Sequence, residues 1–110
     1  MNKFLRILLI EDNPGDADLI EYLLNEAGVS FEITCVDRLS KGIEQVKADS
    51  FDVILADLGL PDSYGLGTLK KLIESEPAAP VIVLTGLADE TIGAEAVRGG
   101  AQDYLLHVGR

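Results

Sequence analysis

The chain is poor in basic side chains and in long apolar runs, and each shortage excludes a class of function. Only 9 lysines and arginines stand against 19 acidic residues, which gives a net charge of −10. Direct nucleic-acid binding requires a basic face, so this balance argues against it. No apolar run approaches the roughly 18 residues of a membrane span. We therefore expect a cytoplasmic protein, away from membranes, that binds cations or meets a basic partner surface.

Cysteine is also scarce, since Cys35 is the only one. A single thiol cannot form an internal disulfide and fits a reducing compartment. Cys35 lies in the run Phe31–Val36, which is typical of a strand. We expect it to be a small thiol in the core rather than a metal ligand or a nucleophile.

Strand-like and helix-like segments alternate along the 110 residues, a length that suits one domain, 1–110, with one hydrophobic core. Apolar runs predict strands over residues 5–10, 31–36, 52–56, 81–85 and 103–107. Apolar residues at helical spacing predict four helices, marked by Leu19, Ile20, Leu23, Leu24 and Ala27; by Leu39, Ile43 and Val46; by Leu66, Leu69, Leu72 and Ile73; and by Ile92, Ala96 and Val97. Strands separated by helices predict a parallel sheet that is covered on both faces.

The last predicted strand has too few residues after it for a fifth helix. We therefore expect the chain to be a piece of a longer protein, truncated at its C-terminus. Apolar surface left uncovered beside the last strand promotes association, so a homodimer is among the expected partners.

Polar side chains stand at the carboxyl ends of four predicted strands: Glu11 and Asp12 after the first, Asp57 after the third, Thr85 at the fourth and His107 at the fifth. In an open parallel sheet, ligands bind at this edge. Three clustered carboxylates repel one another unless a cation compensates their charge. Mg²⁺ takes one or two carboxylates, keeps several waters and accepts phosphate oxygens. The pattern predicts a divalent-metal site with one carboxylate left for chemistry.

Four motifs in register then resemble the receiver domain of response regulators, over nearly the whole chain. They are Ile7-Leu8-Leu9-Ile10-Glu11-Asp12-Asn13, Asp57-Leu58-Gly59-Leu60-Pro61-Asp62-Ser63-Tyr64-Gly65, Val83-Leu84-Thr85-Gly86 and Gly100-Ala101-Gln102-Asp103-Tyr104-Leu105. The resemblance implies a flavodoxin-like α/β fold with the doubly wound five-stranded sheet order 2-1-3-4-5.

The same resemblance implies a two-component signalling switch rather than a turnover enzyme. Asp57 would accept the phosphoryl group of a histidine kinase or phosphotransfer protein, as a carboxylate nucleophile. Mg²⁺ would be held by Asp12, Asp57, the Gly59 carbonyl and Glu11, the last directly or through water. Thr85 would be the switch hydroxyl, and Tyr104 the aromatic side chain that moves with it. The domain would also assist its own phosphorylation and dephosphorylation.

One position departs from the family, because His107 stands where the family has a lysine. Imidazole is shorter than lysine and only partly charged near neutral pH. An acidic pocket would favour its protonated form, so His107 is either a substitute for the lysine or a residue that merely ends a strand. Both interpretations stay open.

Two alternatives follow from these features. The first is a receiver-like interaction module whose phosphotransfer is impaired by the His107 change. The second is a haloacid-dehalogenase-type phosphatase, which also forms an aspartyl phosphate but needs a second Asp where this chain has Gly59. A nucleotide- or flavin-binding domain is disfavoured because the first strand is followed by acidic residues instead of a glycine-rich loop.

Overall fold

A parallel five-stranded sheet forms the centre of the computed structural model. The structure describes residues 4–75, 77–85, 94–95 and 97–106, and for residues 85 and 103–106 it describes the backbone alone. The strands are β1 (Leu5–Ile10), β2 (Phe31–Val36), β3 (Val53–Asp57), β6 (Val81–Thr85) and β7 (Asp103–Leu106). Their order is β2-β1-β3-β6-β7 with every pair parallel, which confirms the predicted α/β fold and the order 2-1-3-4-5.

A short antiparallel hairpin that the sequence analysis did not predict follows β3. It consists of β4 (Gly59–Leu60) and β5 (Ser63–Tyr64). Pro61 and Asp62 form the turn between them, in agreement with the preference of these residue types for turns.

Three helices are described in full: α1 (Pro14–Glu26), α2 (Leu39–Ala48) and α3 (Leu66–Glu74). Residue types that favour a helix start occupy the first positions of α1. Pro14 lies in the first turn, and the Asn13 side chain accepts the Asp16 N–H at 3.1 Å. Residues 94–95 and 97–98 are also helical, at the place of the fourth predicted helix. Among the described helices, none has the length and apolar character needed to cross a membrane.

The helices cover both faces of the sheet because side chains alternate along each strand. On one face, Leu8 and Ile10 of β1 are fully buried in a cluster with Leu69 and Leu72 of α3 and Leu39 of α2. On the other face, Ile7 and Leu9 pack with the α1 residues, a group made up of Ala17, Ile20 and Leu24. The doubly wound architecture therefore rests on the alternation within β1.

Helix α2 comes unusually close to β1 at Gly42. A Cβ atom placed on this glycine would overlap the Cδ1 atom of Ile10, which is itself fully buried. Any larger residue at position 42 would force the buried Ile10 side chain or the helix to shift. The close contact brings the start of α2 towards the carboxyl edge of the sheet.

The expectation that Cys35 lies in the core is wrong. Cys35 is exposed, because it lies at the end of β2, which has β1 as its only partner among the described strands, and it lines a cleft instead of packing under α1. Leu19 and Leu23 follow the predicted helical spacing but are 37% and 55% exposed. Helix α1 faces the sheet through the neighbouring row, Ala17, Ile20 and Leu24.

The predicted strand ends need small corrections. The third strand is Val53–Asp57 rather than 52–56, and Asp57 is its last residue. The fifth strand is described to Leu106, so His107 lies outside the described residues, as do Ile92 and Ala96 of the fourth helix. A fifth helix would follow Leu106, the last described residue, so the expectation that this helix is missing stays a prediction.

We expect the ion pair at the opposite edge of the sheet to stabilise the fold only above acidic pH. Arg6 donates to both carboxylate oxygens of Asp49, at 2.9 and 2.7 Å. These hydrogen bonds lower the pKa of Asp49 to about 2. Since the pKa is depressed in the folded state, the stabilisation is present above pH ~4 and is lost as the pH falls towards about 2.

Urea unfolding of the wild type and of Asp49→Asn from pH 7 to pH 2 measures this effect. The variant should be less stable at pH 7 by a small amount, because the pair is exposed. The difference should shrink below pH ~4. A stability difference that stays constant over the whole pH range would contradict the assignment.

Candidate metal centre

The pairing of β1 with β3 brings the predicted carboxylates together. The two strands are parallel and in register, with Ile10 opposite Ala56, so Glu11 and Asp12 leave β1 beside Asp57 at the end of β3. One ligand oxygen from each of these three side chains lies within 4.8 Å of the others. The sequence expectation that these residues cluster is met by the geometry.

Two of the three carboxylates are buried and held by backbone N–H groups. Glu11 is 3% exposed, and its Oε1 accepts the N–H of Asn13 at 3.0 Å. Asp57 is 5% exposed, and its Oδ1 accepts the N–H of Gly59 at 2.7 Å. Asp12 is more accessible than either. Glu11 and Asp57 are therefore fixed in orientation, whereas Asp12 faces the accessible side of the cluster.

This donor set fits a small divalent cation. Three carboxylates at this spacing repel one another, and a bound cation removes that repulsion. Oxygens bound to one Mg²⁺ at about 2.0–2.1 Å are at most about 4.2 Å apart. Since the three oxygens already lie within 4.8 Å, a small movement or one bridging water brings them into that range.

The loop after β3 is fastened at several points. The Gly65 N–H donates to the Leu58 carbonyl at 2.6 Å, and Gly65 has a φ of +68°, a conformation that favours glycine. The hydroxyl of Thr68, which is fully buried, donates to Ser63 Oγ at 2.8 Å. These contacts hold the hairpin that carries Gly59 next to Asp57.

Sequence reasoning missed Asp62. This side chain accepts the N–H groups of Leu39 and Ser40, at 2.8 and 3.0 Å, and so links the hairpin to the start of α2. In the sequence, Asp62 has the ordinary appearance of a turn residue after Pro61. The only local signal was indirect, because Arg38 precedes α2 where a capping side chain is preferred.

Thr85, Tyr104 and His107 are placed only in part. Thr85 ends β6, one residue beyond Leu84, which is the partner of Asp57 in the register. Tyr104 lies in β7 opposite Val83. The side chains of both, and the whole of His107, lie outside the described part of the chain, so their roles stay predictions.

A cleft of about 600 Å³ opens beside the carboxylates, between α1 and the end of β2. Its lining includes Glu11, Asp12, Asp18, Glu21 and Cys35. Partial desolvation, together with the negative charges of Glu11 and Glu21, raises the pKa of the Cys35 thiol above its usual value. The cleft is thus acidic, and its thiol is poorly suited to act as a nucleophile at neutral pH.

Known proteins match this chain over nearly its whole length. The family model described as "Response regulator receiver domain" matches residues 7–107. The cell cycle transcriptional regulator CtrA of Caulobacter vibrioides is 34% identical over 92% of the chain, and the cell cycle response regulator CtrA of Brucella ovis is 36% identical over the same share. The chain spans 43% of the length of each of these relatives.

Solved structures agree with the sequence matches. The receiver domain of sensor histidine kinase PA1611 from Pseudomonas aeruginosa has a TM-score of 0.78 at 27% identity, over 98% of this chain and 88% of that one. That structure is described as having a magnesium ion coordinated in the active site cleft. Full-length FixJ from B. japonicum has a TM-score of 0.81 at 26% identity, over 96% of this chain and 51% of that one.

We expect the three-carboxylate cluster to bind Mg²⁺ and Asp12 to be needed for it. Titration of Mg²⁺ should shift the amide signals of residues 10–13 and 56–59 in a nuclear magnetic resonance spectrum. Asp12→Ala should weaken binding by about tenfold or more, because it removes one charged ligand.

Asp18→Ala is the matched control, since it removes a carboxylate from the same cleft but not from the cluster. It should leave the affinity for Mg²⁺ nearly unchanged. Amide signals that do not move at either strand end, or binding that survives Asp12→Ala, would rule out the site.

Proposed function

The chain belongs to the response regulator receiver domain family, and on that premise we propose that it is a phosphoacceptor switch with Asp57 as the phosphorylated residue. The observation that carries the proposal is the convergence of Glu11, Asp12 and Asp57 at one edge of the sheet. This arrangement suits phosphoryl transfer, because one carboxylate can react while the others hold a cation that compensates the negative charge.

The reaction proposed is the transfer of a phosphoryl group from a phosphohistidine side chain. A carboxylate oxygen of Asp57 attacks the phosphorus, so that an O–P bond forms and the N–P bond of the phosphohistidine breaks. The electron pair of the broken bond stays on the imidazole nitrogen of the donor. The Gly59 N–H fixes the rotation of the Asp57 carboxylate before the attack.

Glu11, Asp12, Asp57 and the Gly59 carbonyl are the groups proposed to hold Mg²⁺. When bound, the ion supplies positive charge beside the phosphoryl oxygens. The donor chemistry of the three carboxylates and the magnesium ion described for the related receiver domain of PA1611 support this assignment. Burial of Glu11 and Asp57 keeps their side chains oriented without further ordering.

The switch itself is proposed to involve Thr85 and Tyr104. Their backbone positions support this, because β6 lies next to β3 and β7 lies next to β6 on the side of the sheet away from β1. A shift of the Thr85 hydroxyl towards a phosphorylated Asp57 would be passed to the neighbouring strand. The domain would act in signalling and catalyse at most its own phosphorylation and dephosphorylation.

The partners proposed are a histidine kinase or a phosphotransfer protein, in the cytoplasm, and a second copy of the chain. Direct nucleic-acid contact by this domain is disfavoured by the net charge of −10. A docking surface on the kinase is expected to be basic, because Asp57 lies beside a cleft lined by Asp12, Asp18 and Glu21.

We expect Asp57→Asn to abolish labelling by a small phosphodonor such as acetyl phosphate. The amide keeps the shape of the side chain but is not a nucleophile. Mass spectrometry of the intact protein and of its peptides measures the label and locates it.

The matched control is Asp52→Asn, at the opposite end of β3, where the carboxylate accepts the Arg6 N–H at 2.8 Å. This variant should label at the wild-type rate. Phosphate found on Asp52 or Asp62 in place of Asp57 would overturn the assignment.

The alternative, an interaction module with impaired phosphotransfer, is tested at His107. If His107 substitutes for the lysine of the family, His107→Lys should strengthen beryllofluoride binding and flatten its dependence on pH between about 6 and 8. The reason is that lysine stays charged across this range whereas imidazole does not.

Measurements on the wild type, His107→Lys and His107→Ala separate the two interpretations. A residue that merely ends a strand predicts equal affinities and equal pH profiles for all three proteins. Weaker binding by His107→Ala than by the wild type would support the substitute role, whereas weak binding that is equal in the wild type and His107→Ala and is restored only by His107→Lys would favour the interaction module.

A further inference from the structure

Helix α2 is capped by a residue from a distant part of the chain. Arg38 precedes the helix and makes no side-chain capping hydrogen bond. Instead, Asp62 Oδ1 accepts the Leu39 N–H at 2.8 Å and Asp62 Oδ2 accepts the Ser40 N–H at 3.0 Å. Both oxygens of one carboxylate thus satisfy N–H groups that a helix start leaves without an intrahelical partner.

The charge of Asp62 suits this position. Desolvation alone would raise its pKa, but the N–H groups of Ser40 and Leu39 outweigh that effect and lower the pKa below the usual value. The carboxylate is therefore ionised at neutral pH and interacts favourably with the start of the helix.

The same residue lies at the tip of the hairpin that holds Asp57. Gly59 and Leu60 of β4 pair with Tyr64 and Ser63 of β5, and Asp62 belongs to the turn between them. At the other end of the hairpin, the Gly59 N–H donates to Asp57 Oδ1 at 2.7 Å. One short segment thus contacts α2 at its tip and the Asp57 side chain at its base.

Two other hydrogen bonds hold the hairpin on the side of α3. The Gly65 N–H donates to the Leu58 carbonyl, and the Thr68 hydroxyl donates to Ser63 Oγ. Among the described hydrogen bonds of the hairpin, those accepted by Asp62 are the ones that tie it to α2, and Leu60 is buried in the same apolar cluster as Leu39. Without Asp62, the hairpin would keep its base, its hydrogen bonds towards α3 and the apolar packing of Leu60, but it would lose its described hydrogen bonds to α2.

We propose that Asp62 is a positioning residue for Asp57: by capping α2 it holds the β4–β5 hairpin where Gly59 orients the reactive carboxylate. This inference rests on the proposed function, because Asp62 can affect phosphorylation only if Asp57 is the phosphorylated residue. It also makes the two ends of the hairpin interdependent. Since linkage is reciprocal, a ligand whose binding is favoured by the Asp62 cap should in turn stabilise that cap and increase the protection of the Leu39 and Ser40 amides.

The test separates positioning from simple helix stabilisation with two variants. Asp62→Ala removes the cap and the link between hairpin and helix together. Arg38→Ser, added to Asp62→Ala, supplies a capping side chain from the position before α2, where the backbone is already extended. The double variant restores the helix cap without restoring the link. Arg38→Ser alone is the control for loss of the arginine.

The wild type, Asp62→Ala, Arg38→Ser and the double variant are compared by three kinds of measurement. The first is thermal stability, and the second is hydrogen exchange of the Leu39, Ser40 and Gly59 amides in the absence of metal. The third is Mg²⁺ affinity together with the rate of labelling by acetyl phosphate. Asp62→Ala should speed exchange at all three amides and lower Mg²⁺ affinity and labelling rate by about three- to tenfold. In the double variant, thermal stability and exchange at the start of α2 should recover. Exchange at Gly59, the affinity and the labelling rate should not.

Recovery of every readout in the double variant would overturn the inference, because the role of Asp62 would then be helix capping alone. Exchange at Gly59 that is unchanged in Asp62→Ala would overturn it as well. Failure of the proposed function has a different signature, in which the wild type itself neither binds Mg²⁺ nor takes up label. The metal-free exchange at Gly59 still reports whether Asp62 holds the hairpin in that case.

Discussion

The candidate site depends on the parallel pairing of β1 with β3. Ile10 lies opposite Ala56, and this register alone decides that the carboxylates after β1 meet the carboxylate that ends β3. A slip of one residue would turn Asp57 to the other face of the sheet. Both strands are buried on both faces, so the register is strongly specified by packing. As a result, three negatively charged side chains cluster at this edge of the sheet.

Two of the three carboxylates accept a hydrogen bond from the loop that follows them. The N–H of Asn13 donates to Glu11 and the N–H of Gly59 donates to Asp57, in each case from two positions later. Such bonds fix the orientation of the side chain. After β1, the chain enters α1 directly, with Asn13 as its cap. After β3, it forms a hairpin first, so more residues separate Asp57 from α3 than separate Glu11 from α1.

The fold could be predicted well because its information is local. The apolar run of β2 and the spacing of Leu39, Ile43 and Val46 in α2 reflect periodicities that any covered parallel sheet imposes. The strand order came from the resemblance and not from those periodicities. The burial of Cys35 was predicted wrongly, because β2, which carries it, has one partner strand among the described strands. Asp62 was missed because its contacts are 22 and 23 residues away in the chain, a distance that no local pattern encodes.

The exposure of Cys35 gives the protein a native attachment point for a spectroscopic probe. It is the only cysteine of the chain, so a thiol-directed dye or spin label would attach at one position without any engineering. The thiol lines the same cleft as Glu11 and Asp12, and a label there would sense changes of charge at the carboxylates. Its raised pKa means that the coupling reaction needs mildly alkaline conditions, because the thiolate is the reactive form. A residue that contributes nothing to the core thereby becomes a means of observing the site in solution.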